Sequence, residues 1–287
     1  MNVKELHQIL NCEPRKIRLL DIGAMDLEST EKKSELGYFS DLQYVHVSGF
    51  EPLEAEYEKL VNKYPDRSYL PFAVGDGTER SFFITNTGFT SSLYEPDLEL
   101  MSKFNNLAEF CQIKDQKRIK TVRLDDVANL GRVDFLKIDV QGAELDILKN
   151  ARKTLQNVSI VQTEVEMVPL YKHQPLFSDI DQELRQQGFQ FFRFLGAQGR
   201  TFQPISVSSQ PYLTLGQQLW SDAVYVRDFM KVEDCDEQQL YSAALVLHQL
   251  YYGFDLCHYF LKELDQRDES NFAEIYLDAL LHNRHKN

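Results

Sequence analysis

Apolar residues recur along the first 230 residues in two alternating patterns. Short apolar runs are typical of buried parallel strands, and apolar residues three or four positions apart are typical of helices. The runs predict strands at 17–22, 45–50, 69–74, 121–124, 133–138, 158–166, 189–195 and 223–227, with an edge strand at 80–85 paired back on 69–74. Helical spacing predicts helices at 3–11, 28–40, 54–64, 98–110 and 177–187, and another that begins near Gly142.

This alternation predicts an α/β fold, in which a mostly parallel sheet carries helices on both faces. The last two strands have no helix between them, so we expect an antiparallel pair at one edge. Residues 231–287 show apolar faces at helical spacing and no strand pattern, which predicts three helices. We therefore divide the chain into a sheet domain at 1–230 and a C-terminal helical extension at 231–287. The extension either packs on the sheet domain or docks a partner.

Charge and composition narrow the function. The formal net charge is −13 and no basic tract offsets it, which argues against a nucleic-acid partner. The four cysteines lack the spacing of a metal site, which favours reduced thiols. No segment approaches the ~20 apolar residues of a membrane-spanning helix, and the N-terminus lacks the apolar region of a signal peptide. These features predict a cytoplasmic protein without a membrane span, and they leave a homo-oligomer open.

Carboxylates stand at the ends of several predicted strands. Asp21, Glu51 and Asp139 each end a strand, and Asp76 follows the third. Ligands of open α/β sheets bind outside the carboxyl ends of the strands. The preference of Asp for turns and caps explains Glu51 poorly, whereas an acid at the end of the second strand is placed to accept both ribose hydroxyls. Gly23 would let such a ligand approach the backbone.

The sequence of the loop after the first strand distinguishes between possible adenosine-containing ligands. It runs GAMDLE rather than G-x-G-x-x-G, so it offers no good cradle for a pyrophosphate. This argues against NAD and FAD. An acidic rim suits a cationic ligand without phosphates, and S-adenosylmethionine is such a ligand. The residues alone therefore favour S-adenosylmethionine over a dinucleotide.

Seven motifs occur in order over about residues 15–229. They are DIGA at 21–24, GFEP at 49–52, AVGD at 73–76, TVRLDDV at 121–127, FLKIDVQGAELDILKNA at 135–151, VQTEVE at 161–166 and DAVYVRDF at 222–229. The ordered set resembles the FkbM-type S-adenosylmethionine-dependent methyltransferases. The resemblance implies a class I (Rossmann-like) methyltransferase fold with a seven-stranded sheet whose last strand is antiparallel. It also implies methyl transfer, most often to an oxygen of a sugar, polyketide or other secondary metabolite.

The resemblance also implies residue roles. The cofactor-binding residues would be Asp21, Gly23, Ala24, Glu51, Pro52, Val74, Asp76 and Asp139. The first motif would line the methionine part of S-adenosylmethionine, Glu51 would hold the ribose, the AVGD motif would lie near the adenine, and Asp139 would approach the reacting methyl group. Two departures stand out. Met25-Asp26-Leu27 replaces a small residue and a second glycine, and Gln141 replaces the family's usual glutamate.

Methyl transfer to a hydroxyl needs a base that takes its proton. Asp139, Glu164 and His173 are the candidates for catalysis. The alternative interpretation of Glu164 is a buried ion pair, and that of His173 is a solvated loop residue. A polar cluster that could contact a small-molecule or glycan acceptor, or be an ordinary loop, comprises Thr90, Ser91, Ser92 and Tyr94. No metal site is predicted.

Two functions from different classes follow. The leading hypothesis is an O-methyltransferase that acts on a hydroxyl of a sugar, polysaccharide or secondary metabolite. The alternative is a non-catalytic binding or scaffold protein that retains the fold, suggested by the altered first loop and the acidic C-terminal extension. An NAD-linked enzyme is weaker because the glycine fingerprint is missing.

Overall fold

Nine strands form within the residues that the computed structural model describes, which are 5–25, 34–207 and 213–283. The strands are β1 (Ile17–Ile22), β2 (Val45–Phe50), β3 (Ser68–Leu70), β4 (Glu79–Thr85), β5 (Ile113–Lys120), β6 (Phe135–Ile138), β7 (Ile160–Glu166), β8 (Phe189–Gln198) and β9 (Trp220–Arg227). Seven of them make one sheet in the order β3-β2-β1-β6-β7-β9-β8. The first five strands of this order are parallel, and β9 runs antiparallel to both β7 and β8. The predicted mostly parallel sheet with an antiparallel last strand is confirmed.

Helices cover both faces of this sheet. The helices are α1 (Leu6–Leu10), α2 (Glu35–Ser40), α3 (Glu54–Lys63), α4 (Leu98–Met101), α5 (Leu107–Phe110), α6 (Glu144–Lys149), α7 (Arg152–Leu155), α8 (Phe177–Gln186), α9 (Glu237–Val246), α10 (Phe254–Asp268) and α11 (Phe272–Asn283). Successive side chains of a strand point to opposite faces. Leu19 and Phe135 therefore join a core with α1 and α9–α11, and Leu20 and Leu136 join a second core with α6–α8.

The C-terminal helices contact the sheet through buried polar pairs as well as apolar packing. The Tyr251 hydroxyl donates to Gln162 Oε1 at 2.8 Å, and the hydroxyls of Ser159 and Ser242 lie 2.6 Å apart. Buried polar groups that find partners avoid the cost of desolvation, so these pairs fix how the helices lie on the sheet. The residues of 231–283 thus close one face of the sheet, and the domain boundary at 230 stays a prediction.

Several predicted elements differ from the observed ones, and the third strand ends at Leu70 rather than at Val74. The strand predicted at 80–85 pairs with β5 in an antiparallel hairpin rather than with the third strand. The strand predicted at 121–124 is reduced to a single bridge between Val74 and Val122, because the chain turns at once into a 3₁₀ turn at Leu124–Asp126. The helix predicted at 98–110 divides into α4 and α5. Residues 28–33 of another predicted helix lie outside the described residues.

Candidate active site

The register of the parallel strands brings several strand ends to one edge of the sheet. The last residues of β1, β2 and β6 are in register with one another, and Ile138 is in register with Thr163 of β7. The next residue of each strand therefore reaches the same level. These residues are Gly23, Glu51, Asp139 and Glu164. On β9, Asp222 pairs with Glu164 and adds a fourth carboxylate to the edge.

A cleft, which we call the first cavity, opens at the ends of β1, β2 and β6. Its apolar walls include Phe50, Leu53, Phe72, Val74 and Phe82. Its polar groups include Glu51, Ser91, Asp139 and Gln141. A mostly apolar cleft with a few carboxylates at one side suits a ligand that combines a flat ring with hydroxyls and a cation.

Glu51 is the most buried carboxylate of the first cavity. Its side chain is 3% exposed, and its Oε1 accepts a hydrogen bond of 2.7 Å from the Leu53 backbone N–H. Burial raises the pKa of Glu51 to about 7, although the hydrogen bond from Leu53 opposes the rise. A buried carboxylate that keeps acceptor capacity at a cavity wall is suited to bind hydroxyl groups.

Gly23 sets the distance between the first loop and Asp139. Its φ is +81°, and a Cβ at this position would lie 1.9 Å from the Asp139 backbone oxygen. A side chain cannot be accommodated there without moving one of the two strand ends. Gly23 lines the first cavity, so its lack of a side chain serves both the ligand space and the close approach of the two strand ends.

A larger cavity, the second cavity, adjoins the first. The two cavities share Phe89, Asp139 and Gln141. The carboxylates that line the second cavity are Asp139, Glu164, Glu166 and Asp222. Its cationic side chain is Arg200, and its aromatic walls include Phe110, Tyr171 and Trp220. Ligands bound in the two cavities would meet each other at Asp139.

Gln141 connects two of these carboxylates. Its Nε2 donates to Glu164 Oε2 at 2.6 Å and to Asp139 Oδ1 at 3.0 Å. The Tyr171 hydroxyl donates to Gln141 Oε1 at 3.3 Å. Gln141 adopts a φ of +59°, an uncommon conformation for a residue other than glycine, and such strain is characteristic of functional sites.

Three carboxylates of the second cavity, Glu164, Glu166 and Asp222, hold their protons more tightly than usual. Burial, followed by the charge of Asp139, raises the pKa of Glu164 well above its usual range. Burial and the charges of Glu144 and Asp139 do the same for Glu166. The pKa of Asp222 is also raised, chiefly by burial and by Asp139. A carboxylate with a raised pKa is a stronger base than an ordinary one.

Lys137 balances part of this negative charge from the β6 strand. Its Nζ lies 3.0 Å from Asp21 Oδ1 and 3.9 Å from Asp139 Oδ2. Burial lowers the pKa of Lys137, but the charges of Asp21 and Asp139 outweigh it and the net shift is upward. Lys137 is therefore charged and holds Asp21 away from both cavities.

The structure brings most of the predicted site residues together. Those that line the first cavity are Gly23, Glu51, Pro52, Val74, Ser91 and Asp139, and those that line the second are Thr90, Asp139 and Glu164. Ser92 lies directly behind the junction of the cavities, where its Oγ donates to the Gln141 backbone oxygen at 2.6 Å.

Other predicted residues lie outside the linings of both cavities. Asp21 pairs with Lys137, and Ala24 packs in a small core with Leu60 and Tyr69. Asp21 and Ala24 therefore line neither cavity, and their contact with a cofactor stays a prediction. Asp26 and Leu27, which depart from the family motif, lie outside the described residues.

Asp76, Tyr94 and His173 are also placed away from the cavities. Asp76 accepts hydrogen bonds within its own turn, including one of 2.9 Å from the Thr78 N–H. The Tyr94 hydroxyl donates to Asp146 Oδ2 at 3.0 Å. His173 is exposed in a turn with a φ of +63°. Its role as a base stays a prediction and does not enter the proposal below.

Two acidic residues of the second cavity, Glu166 and Asp222, are not among the predicted site residues. Asp222 belongs to a quoted motif, but only the antiparallel pairing with β7 brings it opposite Glu164. Glu166 lies two residues beyond Glu164 and therefore on the same face of β7. The alternation VQTEVE was the available signal for Glu166, whereas no local pattern could have indicated Asp222.

The described part of the chain contains neither a metal-ligating cluster nor a membrane-spanning helix. Residues 5–25, 34–207 and 213–283 contain no group of three or more side chains suited to hold a metal ion. None of the helices in these ranges has the length and apolar character needed to cross a bilayer.

The order of the strands and the cavity at their carboxyl ends define a class of protein. Counted along its seven strands, the sheet runs 3-2-1-4-5-7-6 with the last strand antiparallel, which is the class I (Rossmann-like) methyltransferase fold. The FkbM methyltransferase domain matches residues 21–191, more than half of the chain. The chain belongs to the FkbM methyltransferase family, as the resemblance of its motifs predicted.

Solved structures of other methyltransferases are similar only at a distance. Magnesium protoporphyrin IX methyltransferase from Synechocystis, with bound S-adenosylmethionine, is 11% identical, with a TM-score of 0.38 over 74% of this chain and 71% of that one. Fibrillarin from Aeropyrum pernix, with natively bound S-adenosylmethionine, is 14% identical, with a TM-score of 0.34 over 73% and 66%. A TehB-like methyltransferase from Corynebacterium glutamicum is 12% identical, with a TM-score of 0.36 over 77% and 86%. No curated protein is significantly similar in sequence.

Proposed function

We propose that this protein transfers the methyl group of S-adenosylmethionine to a hydroxyl of a sugar, polysaccharide or secondary metabolite. The observation that carries the proposal is the junction of two cavities at Asp139 and Gln141. One cavity suits the cofactor, and the other leaves room for an acceptor. Alignment of two bound reactants can by itself supply ~7–11 kcal/mol of a reaction barrier.

The residues of the first cavity fit S-adenosylmethionine. Glu51, buried at the end of β2, would accept the two ribose hydroxyls. The apolar walls at Leu53, Phe72 and Val74 would contact the adenine. Asp139, at the side nearest the second cavity, would bind the cationic methionine end. Bound in this way, S-adenosylmethionine supplies an electrophilic methyl group.

Glu164 is the group best suited to take the acceptor proton. It lines only the second cavity, where an acceptor would bind, and its raised pKa makes it a stronger proton acceptor than an ordinary carboxylate. The hydrogen bond from Gln141 fixes its Oε2. As the new carbon–oxygen bond forms and the carbon–sulfur bond breaks, the hydroxyl proton would pass to Glu164.

Two measurements test this function. Calorimetry should show S-adenosylmethionine binding to the full chain, and no heat up to millimolar concentration would count heavily against a cofactor site. Release of S-adenosylhomocysteine should then be measured with panels of sugars, oligosaccharides and hydroxylated metabolites. Cofactor binding with no turnover on any panel, together with unchanged cellular phenotypes of Asp139→Ala and Glu164→Ala, would favour the non-catalytic binding protein. The cytoplasmic location and the oligomeric state stay predictions.

A further inference from the structure

The second cavity contains a carboxylate oxygen that no described protein group satisfies. Glu166 is 2% exposed, and its Oε2 has no hydrogen-bond partner among the described residues. The Nε2 of Gln174 also has no hydrogen-bond partner of normal geometry among them, although the Gln174 amide lies close enough to Glu166 to lower its pKa by a weak hydrogen bond. Burial and the charges of nearby acids outweigh the effect of Gln174, so the pKa of Glu166 is raised overall. A buried carboxylate without partners is costly, so a ligand that satisfies Glu166 would gain affinity.

The neighbours of Glu166 indicate the sign of that ligand. Glu164 and Glu166 point to one face of β7, and Asp222 stands opposite Glu164 on β9. Side chains diagonal across such a pair are ~7–8 Å apart, so one small cation can reach both Glu166 and Asp222. Arg200 lies against the Trp220 ring at 5.1 Å and donates to the Gly199 carbonyl at 2.8 Å. Arg200 is the single cationic side chain in the lining of this cavity and faces four carboxylates, of which Asp139 and Asp222 also lie near the charge of Lys137.

We propose that the second cavity binds an acceptor that carries a protonated amine, which Glu166 and Asp222 hold while a neighbouring hydroxyl faces Glu164. The inference rests on the proposed function and names the acceptor class as an amino sugar or amino alcohol. An ammonium group has three N–H donors and can satisfy carboxylates on different strands at once. A divalent ion suits the site less well, because the described residues contain no group arranged to ligate one.

A tryptophan in this cavity makes ligand binding measurable by fluorescence. Trp220 is the single tryptophan of the sequence and lines the second cavity, so its fluorescence responds to ligands there. The full chain would be titrated near neutral pH with 2-aminoethanol and glucosamine, and with their neutral counterparts 1,2-ethanediol and glucose. We expect a saturable change with the amines and a change weaker by about tenfold or more with the neutral compounds, the loss expected for a charge-assisted hydrogen bond.

Matched variants assign the effect to Glu166. Glu166→Gln should weaken amine binding by about tenfold or more, whereas Glu109→Gln, exposed on α5, should leave it unchanged. Asp222→Asn carries the same expectation if Glu166→Gln does not fold, as judged by circular dichroism. Equal responses to amines and neutral compounds, or unchanged affinity in a folded Glu166→Gln protein, would overturn the proposal. So would a saturable response to MgCl₂ that blocks the amine, since it would assign the site to a divalent cation.

The titration separates this inference from the function on which it rests, because it requires no methyl transfer. Cofactor binding and turnover without a preference for amines would remove only the amine inference. A preference for amines that is lost in Glu166→Gln, in a protein that binds no S-adenosylmethionine, would uphold the cation site and contradict the methyltransferase proposal.

Discussion

Gln141 donates a hydrogen bond of 2.6 Å to Glu164, and the same amide nitrogen donates to Asp139 at 3.0 Å. The amide therefore separates two carboxylates with a neutral donor at the point where the two cavities meet. The FkbM motif usually carries glutamate here. The glutamine of this chain removes one negative charge from a wall that already holds four carboxylates.

Gln141→Glu should destabilise the protein in a pH-dependent way. The new carboxylate would face Asp139 and Glu164, so its folded-state pKa would lie above its unfolded value of ~4.3. Its cost is then absent below that value and grows as the pH rises. We expect a free energy of unfolding lower by roughly 1–3 kcal/mol at alkaline pH and little change at acidic pH.

Denaturant titrations at both pH values measure this effect. Gln43→Glu, exposed at the opposite end of β2, is the matched control and should change stability at neither pH. If Gln141→Glu were as stable as the wild-type protein at alkaline pH, the neutral amide would not be needed to limit repulsion between Asp139 and Glu164.

Glu164→Gln should lower kcat by ~10²–10⁴-fold, the usual contribution of a general base, and leave cofactor affinity unchanged. The wild-type rate should rise as the pH rises through the raised pKa of Glu164, because only the ionised carboxylate accepts a proton. That limb should disappear in the variant. Burial, followed by the charges of Asp139, Glu166, Glu144 and Asp222, keeps this limb above the pH range of an ordinary glutamate.

The measurements are pH–rate profiles with an acceptor identified by the panels above, and calorimetry with S-adenosylhomocysteine. Glu109→Gln serves as the control for loss of an exposed glutamate that lines neither cavity. Retention of the rising limb in Glu164→Gln would assign the proton transfer to another group, with Asp139 the next candidate.

Gly23→Ala should cost more stability than its conformation alone explains. A positive φ costs an alanine roughly 1–2 kcal/mol, and here the added Cβ would also meet the Asp139 oxygen at 1.9 Å. Gly196→Ala is a control with a nearly equal φ, +80° against +81°, and open space around the Cβ. Chemical denaturation should place Gly23→Ala well below Gly196→Ala, with weaker cofactor binding. Equal losses would mean that the strand ends move apart freely.

The sequence predicted the elements that bury one or two apolar faces. The bounds of β1 and β2 agree with the prediction because their apolar residues alternate or run continuously into the cores. The predicted end of β2 therefore places Glu51 at the edge of the sheet where the first cavity opens. By contrast, β5 is exposed along most of its length, so it leaves no apolar pattern to recognise.

The residues of the candidate site were predictable only where they directly follow an apolar run that marks the end of a strand. Glu51 and Asp139 follow buried strands, and their level is set by parallel pairing. Asp222 reaches Glu164 through the antiparallel register of β7 and β9, a contact between residues far apart in sequence. Likewise, the bridging role of Gln141 depends on a positive φ, which the presence of a glutamine does not predict.

Glu51 should make cofactor binding depend on pH. Its pKa is about 7 because it is buried, and an ionised carboxylate is the better acceptor for ribose hydroxyls. The affinity is then fully present above that pKa and falls by about tenfold for each pH unit below it. Glu51→Gln should bind S-adenosylhomocysteine about tenfold or more weakly at alkaline pH, with a flat profile, whereas exposed Glu54→Gln should match the wild-type protein. Calorimetry across this pH range measures both effects. A wild-type affinity that stays constant through neutral pH would contradict the assignment of Glu51 to the ribose.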